Sequence, residues 1–346
     1  MPFGDQITSL NYVYTDPNVG AGNKVVQVSN VQMVNGANNP LSNYLVTYVN
    51  NTTSTITPRP ITINGDAQTK VYGTNDPSLS YTATATGVGT GVAPGDSLAS
   101  IISGSLTRDQ YGTLPGENTG TYGITQGTLA SNSNYAVTYV PSTLTVTPAQ
   151  ITVAANPMTK IYGSSDPTLT YIVNGAINQI VDGVLMNDIP SSLVSGSLVR
   201  NFGENVGQYL INQGTIVSSS QNYTLSGYTS NKFTITPLPI SVTASNAVKV
   251  YDASTLATTG GNTVMTTRPT PVLTGVTTSL PFGDQITSLN YVYTDPNVGA
   301  ANKVVQVSNV QMANGANNPL SNYLVTYVNN TTSTITPRPI TVNGDN

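Results

Sequence analysis

The chain repeats itself almost word for word. Residues Pro2 to Asp66 recur as Pro281 to Asp345 at an offset of 279, and over those 65 positions only three differ: Gly22 against Ala301, Val34 against Ala313 and Ile63 against Val342. Near identity at such a distance points to tandem duplication of a unit about as long as the offset. The 346 residues then hold slightly more than one period, with Met1 standing where Leu280 stands in the second copy. A fixed period constrains the fold strongly, because each repeat must be a small unit that its neighbours help to bury.

A weaker repeat lies inside the period. Ile61-Thr62-Ile63, then Thr69-Lys70-Val71-Tyr72-Gly73 and Asp76-Pro77, match Ile151-Thr152-Val153, Thr159-Lys160-Ile161-Tyr162-Gly163 and Asp166-Pro167 at an offset of 90. Further on, Gly116-Glu117-Asn118, Gly120 and Tyr122 answer to Gly203-Glu204-Asn205, Gly207 and Tyr209. A third unit starts with Ile240-Ser241-Val242 and Lys249-Val250-Tyr251-Asp252. Every unit closes alike: Asn43-Tyr44, Asn134-Tyr135, Asn222-Tyr223 and Asn322-Tyr323 open a segment ending in Thr57-Pro58, Thr147-Pro148, Thr236-Pro237 and Thr336-Pro337. The prolines divide the chain into a partial module at 1–58, complete modules at 59–148, 149–237 and 238–337, and the first strand of another at 338–346. The opening fragment lacks what 238–280 supplies to its twin, so it is expected to be the least stable part, with an apolar face and an unpaired edge.

Alternation of period two fixes the element type. Val26 and Val28 flank Gln27, Leu144 and Val146 sit among threonines, and Phe233 and Ile235 stand beside Thr234 and Thr236. One apolar face and one threonine face is the pattern of a sheet with a solvated side, and Gly, Asn, Asp and Pro supply the turns. Helix signals are confined to a turn or two near Asp96 to Ile102, with Asp96 as the expected cap, and a similar stretch near Asp188 to Leu193 interrupted by Pro190. The expected fold is mostly β: a tandem array of small antiparallel β modules, sandwich-like or β-grasp-like, with at most one short helix each. Proline at every junction fixes φ and favours extended geometry before it, so the connections read as short and stiff. The array is therefore expected to form an elongated rod, gaining roughly 35–45 Å per module from strands rising about 3.3 Å per residue.

Composition narrows the function. The chain has no Cys and no His, which removes the usual metal ligands, the thiol nucleophile and the commonest general base. Only 8% of residues are charged, and 11 scattered Lys and Arg against 15 acidic residues make no basic stripe for nucleic acid. No apolar run reaches the roughly 18–20 residues of a membrane-spanning helix, and the start at Met1-Pro2 has no basic and then apolar leader. Absence of cysteine suits long exported bacterial proteins, so an extracellular or cell-surface location is expected.

Lys-x-Tyr-Gly followed by Asp-Pro, then Gly-Glu-Asn-x-Gly-x-Tyr, and Asn-Tyr ahead of Thr-x-Thr-Pro together resemble the MBG repeat domains of the YG type. The module from 238, with Lys249-Val250-Tyr251-Asp252 and later Asn297-Val298-Gly299, resembles the YDG repeat, and residues 1–58 look like the back half of another. The resemblance covers essentially the whole chain and implies a stalk or fibre role in large exported bacterial proteins such as filamentous-haemagglutinin-like adhesins. It brings no catalytic residues with it. One departure is Pro115 before Gly116-Glu117-Asn118, where the second module has Phe202.

Four groups of residues invite a chemical reading. The acidic turns Asp16-Pro17, Asp76-Pro77, Asp166-Pro167 and Asp295-Pro296 suggest calcium, but calcium wants clustered oxygens and single aspartates form turns. Lys70, Lys160 and Lys249, with Glu117, Asn118, Glu204 and Asn205, hold the ingredients of an isopeptide cross-link; the simpler reading is a lysine on a solvated or edge strand position. Tyr72, Tyr81, Tyr122, Tyr162, Tyr171, Tyr209 and Tyr251 suggest a sugar platform, against plain packing with a hydrogen-bonded hydroxyl. Asp182 with Asp188, or Asp96 with Asp109, can be drawn as a glycosidase pair, which would need a cleft. The sequence assigns no catalytic, cofactor-binding or metal residue, and reads as a non-enzymatic stalk or spacer whose partners are neighbouring modules. The alternatives are multivalent recognition of cell-surface glycans or matrix, and self-assembly into a filament.

Overall fold

The computed structural model describes residues 1–85, 89–111, 114–115, 118–257, 265–275, 279–315 and 317–344. It divides into two compact units, one of residues 1–150, 177–188 and 220–224, the other of 151–176, 189–219 and 225–346. Both are built from many small sheets, as the alternation required. Among the described residues there is one α-helix, Leu98–Ile101, and no helix long and apolar enough to cross a membrane.

In the first unit, Arg59–Gly65 lies between Tyr135–Val140 and Tyr81–Thr84, while Ser142–Thr147 lies between Gln68–Val71 and Gly120–Thr125. Both sheets send alternate side chains inward. Ile61, Ile63, Ile124, Leu129 and Leu144 are buried together, each worth about 1.5–3 kcal/mol of removal from water, while the threonines between them stay outside. The second unit repeats this plan: Asn231–Thr236 is flanked by Met158–Ile161 and Gly207–Asn212, burying Phe233 and Ile235. Further along, Leu238–Ala244 sits between Pro271–Thr274 and Tyr323–Val328. A five-stranded sheet then runs Met265–Thr267, Val248–Val250, Asn330–Thr336, Gly299–Ala313, Gln285–Tyr293.

The expectation of antiparallel modules needs one correction. Where a module's first strands meet its last, the pairing is parallel: Arg59–Gly65 with Tyr135–Val140, Gln68–Val71 with Ser142–Thr147, and Leu238–Ala244 with Tyr323–Val328. Parallel neighbours need a long crossover, and the whole interior of the module lies between these strands. The helix also starts differently: Ser97 caps it, in a capping box with Ser100, and Asp96 is turned to another use. The stretch near Asp188 to Leu193 gives a 3-10 turn at Pro190–Ser192, with proline at its start.

The twin copies test how much of this is local. Tyr44-Leu45-Val46-Thr47-Tyr48-Val49 is the same sequence as Tyr323–Val328, yet only the latter is a strand. The difference is the partner: Leu238–Ala244 pairs with the second copy, and among the described residues no strand pairs with 44–49. Tyr14 is accordingly 44% exposed where its twin Tyr293 is 1% exposed.

Candidate functional site

What recurs in space is a set of buried polar joints. Lys70, Lys160 and Lys249 are 6%, 7% and 0% exposed, which corrects the expectation of a solvated or edge lysine. Their strands place the Nζ atoms over the acidic turn just downstream. Lys70 meets Asp76 at 2.7 Å, Lys160 meets Asp166 at 2.7 Å, and Lys249 meets Asp252 at 2.9 Å. Lys24 and Lys303 pair in the opposite sense, each with an acidic turn 8 residues upstream, Asp16 and Asp295. The repeated aspartates are thus counterions to buried ammonium groups. A charge taken out of water requires such a partner.

The clusters at Lys70 and Lys160 gather more charges. Arg108 also binds Asp76, and Arg200 binds both Asp166 and Glu204, while Glu204 reaches Lys160. Arg200 and Lys160 outweigh burial and hold the Asp166 carboxyl below its usual range; burial opposes the ionised form of Glu204, yet the same two cations hold it low. Burial also works against charge on Lys160, but its two carboxylates raise its pKa. Isopeptide formation needs a neutral amine beside a protonated carboxyl or a carboxamide, and these ion pairs favour the opposite state. The asparagines of that idea, Asn118 and Asn205, are employed elsewhere. Among the described residues no three His, Cys, Asp or Glu side chains converge as a cation would need.

In the first unit Asp182 completes the Lys70 cluster. It sits at φ +47 beside Gly183 in the two-residue turn joining Asn178–Val181 to Val184–Asn187, the geometry that Asp-Gly suits. Its carboxylate takes Lys70 Nζ at 3.2 Å and the Asp76 N–H, and its own N–H goes to Asn75.

The tyrosine after each lysine forms a second joint. Tyr72 donates its hydroxyl to Asp188 at 2.9 Å, and Tyr223 of the closing Asn-Tyr donates to the same carboxylate, with the two rings edge to face at 5.3 Å. The second unit repeats it. Tyr162 and Tyr323 donate to Asp284 at 2.8 and 2.7 Å, their rings are 5.5 Å apart, and Asn314 donates to the other oxygen. Burial first, then the Asp284 carboxylate, pushes the Tyr162 pKa up to about 12, and the same causes raise Tyr323. Gly73 and Gly163, at φ +80 and +85, follow these tyrosines where a side chain would run into Ile177 and Pro281.

A third joint uses the asparagine of Asn-Tyr. Asn134, Asn222 and Asn322 accept from the N–H of Val19, Thr119 and Val206 at 2.8–2.9 Å. Each donates its amide to another asparagine: Asn18, Asn118 and Asn205, at 2.8–3.0 Å. The same atoms thus recur three times, always between an asparagine one module earlier and the closing hairpin of the next.

These joints fall on the motifs that family models recognise. The model described as MBG domain (YGX type) matches residues 61–145 and again 151–234, and the model described as YDG domain matches 236–334. The chain is an array of MBG and YDG repeat domains. A comparison with curated proteins returned no match.

The remaining predicted residues scatter over this array. Tyr122 and Tyr209 occupy one position in the two MBG domains, each giving its hydroxyl to the carbonyl of Asn118 or Asn205, with Arg108 or Arg200 against the ring. Tyr81 and Tyr171 are half-buried strand residues, Tyr72 and Tyr162 are buried, and Tyr251 is half-buried in the YDG domain. Asp96 accepts from Tyr135, and Asp109 from the Gly123 N–H. Glu117, and the Gly116 of the Pro115 loop, lie outside the described residues. Sequence reasoning missed Asp188 and Asp284 as joint acceptors, although a signal existed: Asp5, Asp96 and Asp284 each stand 39 residues before the tyrosine that donates to them.

Proposed function

We propose that this array of MBG and YDG domains is a non-catalytic spacer, the stalk of a bacterial surface adhesin or extracellular fibre, with neighbouring repeats of the chain as its partners. The observation that carries the reading is the threefold asparagine joint with its tyrosine and aspartate companions. Such joints spend their polar groups on holding successive repeats in register, and a single proline, Pro148 or Pro237, is all that separates one strand from the next. A spacer needs that lack of slack.

Small-angle scattering on chains of one, two and three periods tests it. A spacer lengthens by a constant increment per period. A maximum dimension that grows only as the cube root of mass would refute the reading, and immunolabelling that finds the chain only inside the producing cell would refute its location.

A further inference from the structure

In each repeat the opening and closing strands run side by side in the same direction, and their register hardly drifts. From Arg59↔Tyr135 to Asn64↔Val140, and again from Gln68↔Leu144 to Val71↔Thr147, the partners stay 76 residues apart. The two short pairings are therefore one parallel ribbon, residues 59–71 against 135–147, which passes from one sheet to another at a corner near Asp66 and Pro141. Backbone hydrogen bonds continue it at both ends. The Arg59 N–H donates to the Asn134 carbonyl at 2.9 Å, and the Tyr72 N–H to the Thr147 carbonyl at 2.8 Å. The second MBG domain keeps one offset from Met158↔Phe233 to Ile161↔Thr236, and in the YDG domain Leu238–Ala244 and Val248–Val250 pair with the last two strands, slipping by one residue between them.

This arrangement decides how a repeat meets tension. The chain enters the first MBG domain at Pro58, beside the start of one ribbon strand, and leaves at Pro148, beside the far end of the other. A pull on those two points drives the strands past each other along their length. Inter-strand hydrogen bonds lie across the strands, so the slide strains all the register pairs together, six before the corner and four after it. A pull across the ribbon opens the same pairs one after another. The chain between Tyr72 and Asn134 joins the two strands and takes no load until the ribbon slips. Buried side chains oppose the slip as well: Ile61, Ile63, Leu144 and Val146 point into the core, and Lys70 on the loaded strand is held by Asp76 and Asp182.

We propose that each repeat is a tension clamp, in which the parallel ribbon of opening and closing strands carries load in shear while the rest of the module stays folded. The proposal rests on the spacer reading for the source of the tension, but the clamp itself is a property of the domain.

The chain has no cysteine, so introduced thiols take pulling handles at chosen points alone. In the whole chain, Thr57→Cys with Pro148→Cys loads the first MBG domain along its ribbon, and Ala67→Cys with Pro141→Cys loads the same domain across it; all four positions are exposed. In single-molecule force spectroscopy at one loading rate, rupture along the ribbon should need about threefold more force or greater, because forced unfolding follows the barrier on the pulled path. Each pair should give a length gain matching the residues between its handles, which also shows that the domain was folded beforehand. Equal forces in the two directions would overturn the proposal, as would an along-ribbon record in which smaller steps precede the main rupture. If scattering shows no constant lengthening per period while the forces still differ, the spacer reading falls and the clamp stands; the reverse result removes the clamp alone.

Discussion

Replacing Lys249 by methionine keeps the aliphatic stem and removes only the ammonium group, which isolates the energetics of the buried pair. That ammonium is fully enclosed. It meets Asp252 Oδ1 at 2.9 Å, the Ser254 carbonyl at 2.6 Å and the Leu256 carbonyl at 3.2 Å, and the Asp252 side chain is itself only 2% exposed. Lys249→Met therefore strands a carboxylate inside the domain, and removing one partner of a buried pair costs about 3–5 kcal/mol. Since each factor of ten is about 1.4 kcal/mol, amide exchange in residues 248–256 and 330–336 should speed up on the order of 10²- to 10³-fold. Adding Asp252→Asn removes the stranded charge while leaving an acceptor for Ser254, and should recover much of the loss. Lys303→Met should do much less, because its partner Asp295 is 46% exposed. If Lys249→Met changes exchange by less than about threefold, or if the double variant is worse than the single, the lysine is not the enclosed counterion argued for here.

Gly163→Ala should destabilise the second unit more than Gly183→Ala does the first in urea melts: both have φ near +85, worth about 1–2 kcal/mol of strain, but only at Gly163 would the new methyl also run into Pro281. Because the Tyr162 pKa is raised, its contribution to stability is complete below about pH 10 and is lost as pH climbs through about 12. Ultraviolet titration of tyrosinate should show that late class, and Asp284→Asn should shift part of it earlier. The lowered carboxyls of Asp166 and Glu204 act in the other direction, contributing above the ordinary carboxyl range and losing it as pH falls through their depressed values. An acid melt of Arg200→Ala should accordingly be flatter than that of the parent. Asn322→Ala leaves the Val206 N–H without its partner and should cost about 1–3 kcal/mol, read as faster exchange at Val206.

The sequence announced the repeat, the strands and their inward faces, because period-two alternation and the closing prolines are local facts. It also held the lysine–aspartate pairing in plain view, Asp76 and Asp166 each lying six residues after the lysine they neutralise. What misled was the usual habit of charged strand residues, which is to face water; these lysines face in because a turn aspartate waits for them. Parallel closure was not legible, since it joins residues about 75 to 85 positions apart with no sign in either strand. Asp182 was read only as half of an acid pair. Its role depends on a two-residue turn delivering it to Lys70, more than a hundred positions earlier.

The joints also explain why proline boundaries and contact boundaries disagree. A cut at Pro148 separates Tyr72 from Asp188 and Tyr223, Lys70 from Asp182, and Thr119 from Asn222. These contacts are why residues 177–188 and 220–224 belong to the first compact unit although they lie beyond that proline. Each repeat therefore has a covalent frame that ends at its proline and a packed frame that reaches into the following hairpin. The sequence of Tyr323–Val328 is reproduced at 44–49, where no strand forms. Propensity is equal in the two places, so the partner decides. An array built on such overlap gains stability with every repeat added in register, and loses it at any junction where a repeat is skipped, because skipping removes the tyrosine of one module from the aspartate of the next.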